Sequence, residues 1–271
     1  MQRRNQIEAI KTYLQNLPDT PVNKYVKEKS SIYLSGSAGY GIEEGFDEKA
    51  DWDLHIILED EVYAKIHKKG NADPLINDPN NKPTVFGQIR SKSWLKKRLD
   101  SLLKGDCTYL WIYTNGLMID DKLSIHSAIK GYSSLFQKNL NDLIRYHYIR
   151  FAVARFSTAA ASRRGISTAT SLYNAEMIEL ALQTICLLHG QPYAYTKWLE
   201  KQVSMIDGIS PTLLQLIEAS LASKSFEDFD KNARNLRLFT EETLTEHMGK
   251  LPWIKEWWNY NQNPPDLELS A

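Results

Sequence analysis

The chain has 271 residues, enough for one large core or two modest ones, and with 42% hydrophobic and 24% charged residues it has the composition of a folded globular protein. Lysine plus arginine and aspartate plus glutamate number 33 each, so the chain lacks the broad cationic surface used to grip a long nucleic acid. The two cysteines, Cys107 and Cys186, lie too far apart for metal-type spacing and read as reduced core residues. The polar start (Met1-Gln-Arg-Arg-Asn-Gln) and the absence of an apolar run of membrane-spanning length give the expectation of a cytoplasmic protein without membrane contact.

In chain order, Ile7, Ile10, Leu14 and Leu17 recur at helical spacing over residues 3–17, and Pro18 closes that helix. Ile32-Tyr33-Leu34 reads as a short apolar strand running into Gly36-Ser37. After thirteen residues (Ala38 to Ala50) the chain returns as Asp51-Trp52-Asp53-Leu54, opening a second apolar strand that continues to Leu58. Alternation along a strand would place Asp51 and Asp53 on one face, about 7 Å apart, and Trp52, Leu54 and Ile56 in a core. Two adjacent carboxylates repel unless a cation lies between them, which suits a hard divalent ion carrying phosphate oxygens. Gly36 permits close backbone approach, and Ser37 adds a hydroxyl. The loop acids Glu43, Glu44, Asp47 and Glu48 read as solvated.

Residues 60–69 read as a short helix and 71–82 as a loop dense in Asn, Asp and Pro. Residues 82–90 read as a third strand with Phe86, Gln88 and Arg90 on one face, and 91–103 as a helix buried through Trp94, Leu95, Leu99, Leu102 and Leu103. Residues 107–120 read as a hairpin turning at Asn115-Gly116. From residue 126 the helical period dominates, with helices expected near 127–137, 139–161, 168–189, 195–206, 211–222, 225–248 and 252–260. The fold class is therefore α+β, with a small mixed sheet up to residue 125 and an all-α bundle over 126–271.

Three polar features mark the helical half. Arg163 and Arg164 stand at a chain break, where guanidiniums either read phosphate or decorate a helix C-terminus. Tyr173, Glu176 and Glu179 form one polar side of a greasy helix, either a solvated face or a cleft wall. Lys197 and Trp198 open a further helix after two tyrosines. His189 and His247 are lone helical histidines to which no role is assigned.

The Gly36-Ser37 turn, the spacer and the acid-apolar-acid-apolar run resemble the signature of the nucleotidyltransferase superfamily, the polymerase-beta-like fold. The segment from Gln191 to Leu199 resembles one in members with a helical domain, including aminoglycoside and lincosamide nucleotidyltransferases and uncharacterised relatives. The resemblance implies a nucleotidyltransferase domain over 1–125. It implies transfer of a nucleoside monophosphate from a nucleoside triphosphate such as ATP to a hydroxyl of a small molecule, an antibiotic or sugar, with release of pyrophosphate. It also implies two Mg²⁺ ions held by Asp51 and Asp53. Gly36 and Ser37 would contact the phosphates, and Lys197 with Arg163 or Arg164 the leaving pyrophosphate.

One departure stands out. Many members carry a third carboxylate on a later strand, where this chain has Gln88, and an amide accepts no proton at neutral pH. Either Asp106 or Asp120 serves, or the base comes from the helical half as Glu176 or Glu179, or the fold binds nucleotide or a partner without catalysis, in an antitoxin-like role.

Overall fold

A computed structural model describes residues 2–40, 50–67, 74–209, 211–260, 262–265 and 267, and the acids expected in the motif loop (Glu43, Glu44, Asp47, Glu48) lie outside them. The chain divides into two compact units. One holds residues up to Leu102 with Tyr109–Ser134, and the other holds Leu103–Thr108 with Leu135–Ser270.

The first unit is α+β. It runs α1 (Gln2–Gln15), α2 (Pro21–Lys29), β1 (Ser30–Ser35), α3 (Gly36–Tyr40), β2 (Trp52–Leu58), α4 (Asp60–Ile66), β3 (Leu75–Asp78), β4 (Val85–Ser91), α5 (Lys92–Leu99), α6 (Thr108–Asn115), β5 (Leu117–Asp121) and the start of α7 (Ile125–Lys138). The strands form one mixed sheet in the order β3-β4-β2-β1-β5, in which β2 and β4 are parallel and the other pairs antiparallel.

Ile32 and Leu34 of β1, Trp52, Leu54, Ile56 and Leu58 of β2, and Val85 and Ile89 of β4 face α1 and α2, whose Ile10, Leu14 and Val26, with Leu17 of the turn between them, complete the core. The opposite face is covered by rings. Tyr33 and His55 meet Tyr113 of α6 at 5.3 and 5.6 Å between centroids, and His55 meets Trp94 of α5 at 6.3 Å. A sheet covered on both sides explains why β1 is buried at every position.

Three expectations are corrected. Residues 107–120 are not a hairpin: α6 ends at Asn115 and only Leu117–Asp121 is strand. The aromatic and β-branched run has strand propensity, yet the helix buries Leu110, Trp111 and Tyr113 together, and Asn115 Nδ2 donates to the carbonyl of Trp111 at 3.0 Å. Second, α2 occupies a stretch assigned no helix, although Thr20 caps it by accepting from Asn23 N at 3.1 Å and Pro21 fits its first turn. Third, the expected loop at 71–82 contains β3, a short edge strand. Short helix α3 opens the motif loop, where no helix was expected; the remaining strands and helices fall where the periodicity puts them, within a few residues.

The second unit is all-helical: the end of α7, α8 (Leu140–Arg163), α9 (Ser167–Leu188), α10 (Thr196–Ser204), α11 (Pro211–Leu221), α12 (Phe226–Met248) and α13 (Pro252–Lys255). Helix α8 packs against both α9 and α12, burying Tyr148, Phe151, Met177, Ile185, Leu236 and Leu244. Cys107 and Cys186 are both free and buried, as their spacing implied. Among the described residues, no helix is long and apolar enough to cross a membrane.

Two buried polar groups hold this unit. The carboxylate of Glu241, 3% exposed, accepts from Arg237 Nη1 at 2.5 Å, Lys255 Nζ at 2.8 Å and the Tyr148 hydroxyl at 3.1 Å. It ties α12 to α8 and α13. Removing Glu241 strands the partly buried Arg237, while exposed Lys255 returns to water and the Tyr148 hydroxyl keeps the Ile254 carbonyl at 2.7 Å, so Glu241→Ala is expected to cost about 3 kcal/mol by denaturant titration. His147, fully buried, donates from Nδ1 to the Leu143 carbonyl at 2.9 Å, and its Nε2 lies 3.0 Å from the Tyr193 hydroxyl. Burial, with Arg150 nearby, lowers its pKa from 6.5 to about 4. The unfolded chain therefore takes up a proton first, and stability falls as pH drops from about 6.5 to about 4, then levels off. The loss assigned to this residue is of order 3 kcal/mol. Denaturant titrations across that window are expected to show a smaller slope for His147→Gln.

Candidate functional site

Strand β1 ends at Ser35, and Gly36 turns the chain into α3 with φ +68°, the left-handed region. Ser35 lies opposite Asp53 in the β1–β2 register, and its hydroxyl donates to the Asp53 carbonyl at 3.1 Å. A methyl group added to Gly36 would sit 2.3 Å from Asp53 Oδ2. The carboxylate thus lies directly over the glycine, and both the backbone angle and the contact exclude a side chain there. The two halves of the sequence motif meet at this point. Ser37 is the one residue of α3 that is not buried.

Asp53 is half-buried on the sheet face opposite Trp52, Leu54 and Ile56, as alternation requires. Asp51 departs from the expected pattern: β2 begins at Trp52, whose N–H bonds the Thr84 carbonyl at 2.8 Å, so Asp51 stands just before the strand and is exposed. Two carboxylates at a strand entrance, one over a glycine cradle, form a donor set that fits magnesium with phosphate oxygens completing its shell. Among the described residues no three His, Cys, Asp or Glu side chains converge as a closed metal cage.

Next on the same face, His55 Nδ1 lies 2.9 Å from the Tyr113 hydroxyl, and burial, with Arg90 nearby, lowers its pKa to about 4. Gln88 of β4 pairs with His55 in the ladder and accepts from Arg90 Nη2 at 3.2 Å. The position where a third acid was sought therefore carries an amide, and β4 contains no acid. Asp120 does not replace it. It pairs with Ile32 on the far side of β1, three residues from the Ser35–Asp53 level (about 10 Å along the strands), and is bound to Lys122 at 3.1 Å. His55 was readable as the next residue on the Asp53 face. Its partner Tyr113 was hidden by the misread helix α6.

The other expected residues belong to the second unit. Tyr173, Glu176 and Glu179 lie along one side of α9 and wall two hollows of about 200 and 330 Å³, both lined by Arg150 and Glu176. Arg150 of α8 pairs with Glu176 at 3.5 Å, and no sequence signal marked it. Asp106, which accepts from Thr108 N at 2.9 Å, lines the larger hollow. Glu179 accepts from the Thr196 hydroxyl at 2.8 Å, bringing the start of α10 alongside α9. There Lys197 is exposed, its Nζ 5.3 Å from the centre of the Trp198 ring. Arg163 and Arg164 lie at the other end of α9, about 20 Å of helix rise away.

No family model matches this sequence, and no curated protein matches it. Among solved structures the chain is similar to a nucleotidyltransferase-like protein from Exiguobacterium sibiricum 255-15. The two share 11% sequence identity over 88% of this chain and 77% of that one, with a TM-score of 0.48. A likeness of that order says nothing about substrate or catalysis, and the chemistry rests on the residues described above.

Proposed function

We propose that this chain is a magnesium-dependent nucleotidyltransferase that moves a nucleoside monophosphate, from ATP or another nucleoside triphosphate, to a hydroxyl of a small molecule. The observation that carries this reading is the Asp53 carboxylate seated over left-handed Gly36. It joins the glycine turn to the second acid of the motif, Asp53. In the reaction the acceptor oxygen attacks the α-phosphorus, the bond to the β-phosphate oxygen breaks, and pyrophosphate leaves. Magnesium bound at Asp51 and Asp53 would supply charge neutralisation on the phosphate oxygens. Gly36 leaves room for the triphosphate, and Ser37 offers it a hydroxyl. From the second unit, Lys197 is assigned to the leaving phosphates and Glu176 to the acceptor proton.

A second reading has its own observation. With Gln88 on β4 and no acid there, the same site serves a module that binds nucleotide, or a partner in an antitoxin-like role, without transfer. Calorimetric titration of ATP with and without Mg²⁺ separates nucleotide binding from its absence. Wild type is expected to bind ATP only with the metal, and Asp53→Asn to lose that binding with little change in melting temperature. Metal-independent binding, or none, would sink the transferase reading.

Gly36→Ala is expected to lose ATP binding and about 1–3 kcal/mol of stability from the forced backbone angle and the contact with Asp53. Glu176→Gln is expected to lower kcat about 10²–10⁴-fold in a pyrophosphate-release assay while leaving ATP affinity unchanged. A kcat equal to wild type would remove Glu176 as the base.

A further inference from the structure

The larger hollow of the helical unit has one wall made by the turn that carries Lys104, Gly105, Asp106 and Thr108, and Tyr193 lines it with them. Gly105 has φ +81°, and a methyl group there would sit 2.5 Å from the Tyr146 ring, so the turn is pressed against α8. A chain of three links ties it to that helix. Buried His147 Nδ1 lies 2.9 Å from the Leu143 carbonyl, its Nε2 3.0 Å from the Tyr193 hydroxyl, and that hydroxyl 3.0 Å from the Gly105 carbonyl.

The protons in this chain do not match its links. Both ends are carbonyls, which only accept, so three links need three protons. A neutral imidazole and a phenol supply two. With Nδ1–H given to Leu143, Nε2 is a lone pair, and the single hydroxyl proton faces two acceptors at the same distance, Nε2 and the Gly105 oxygen. One of them goes without. The Cys107 thiol, 4.0 Å from the Gly105 oxygen, is a weak substitute donor. An imidazolium changes the count: Nε2–H donates to the hydroxyl oxygen, the hydroxyl donates to Gly105, and every link is filled.

The opposing cost is a buried cation. Burial is the largest influence and lowers the His147 pKa to about 4, against the Leu143 carbonyl; Arg150 of α8 adds to burial, and Asp106 of the turn opposes it. The Tyr193 hydroxyl and the thiols of Cys107 and Cys186 keep their protons, because burial raises all three. His147 is therefore the member of the chain that titrates in acid.

We propose that His147 and Tyr193 form a proton-operated latch on the turn that walls this hollow. In the neutral state the hydroxyl proton is divided between the imidazole and the turn. On proton uptake the hydroxyl turns wholly to Gly105, and the turn is tied to α8 through an unbroken chain. Asp106 and Thr108 ride on that turn, so the latch sets how firmly two polar groups of the hollow are held. The same proton that lowers the stability of the whole fold tightens this one segment. The latch stands apart from the nucleotidyl-transfer reading, since it needs neither the metal nor Asp53.

Gly105-Asp106 is the only Gly-Asp step in the sequence, so glycine labelled with ¹³C at the carbonyl and aspartate labelled with ¹⁵N give a single carbonyl–amide correlation in the NMR spectrum of the full chain. In wild type, titrated from about pH 7 to about pH 3.5, that carbonyl is expected to move downfield as its hydrogen bond is completed, with a midpoint near pH 4. The order parameter of the same amide is expected to rise with it. Tyr193→Phe, which keeps the ring and removes the hydroxyl, and His147→Gln, which removes the titrating group, are each expected to lose that movement. Asp106 is present in all three proteins, so its own effect on the correlation is common to them. A carbonyl that stays put until the chain unfolds, a movement kept in full by either variant, or an order parameter that does not rise overturns the latch.

Discussion

The contact between the Asp53 carboxylate and Gly36 depends on one register between two strands. Ser35 must face Asp53, and Leu34 must face Leu54, for the acid to arrive over the glycine. A slip of one residue would turn Asp53 into the apolar layer formed by Ile10, Leu14 and Val26 and push Leu54 and Ile56 out of it. The hydrophobic side of the sheet thus sets the geometry of its polar side. Burying those leucines and isoleucines, each worth about 1.5–3 kcal/mol, holds the carboxylate in place far more firmly than any single hydrogen bond at the site.

The polar side has a cover of its own. A strand that carries an aspartate and a histidine on one face would ordinarily leave that face wet. Here Tyr33, Tyr113 and Trp94 close over it from His55 onward, while Asp53, nearer the strand entrance, stays half-exposed. The same face therefore passes from accessible to buried along β2. His55 is held neutral by that burial, and the accessible charge is concentrated at the end where β1 turns through Gly36.

How much of this could be read from the sequence follows from the range of the forces involved. The Gly36-Ser37 turn and the acid-apolar alternation are local, so strand faces and the glycine requirement were legible. The long helices α8, α9 and α12 announce themselves by period over more than twenty residues each. Helix α6 did not, because its eight residues have strand-like side chains and take helical form to cover the sheet with Trp111 and Tyr113. Edge strand β3 has four residues and too few apolar positions to show alternation. Arg150 beside Glu176 and Tyr113 beside His55 are tertiary pairings between distant residues. Their partners become visible only when the helices are placed, which is also why Arg163 looked like a companion of Lys197 in the sequence and lies at the other end of α9 in the fold.

Gln88 is where the transferase and binding readings divide. An acceptor hydroxyl must lose its proton as the new bond to phosphorus forms, and β4 offers an amide that cannot take it. Asp120 is on the wrong side of β1 and bound to Lys122. Asp53 is needed under both readings if the nucleotide arrives with its metal, so its presence does not choose between transfer and binding. The choice falls to an acid outside the sheet. Glu176 is on the exposed side of α9, beside exposed Leu172 and Tyr173, and pairs with half-exposed Arg150 at 3.5 Å. Such an exposed pair is worth about 1 kcal/mol or less, so it biases the carboxylate's position without fixing it, whereas proton transfer requires a defined position. The motif alone therefore does not separate transfer from binding; under the transferase proposal they separate at an acid outside the sheet, Glu176, whose part in proton transfer the kcat of Glu176→Gln measures.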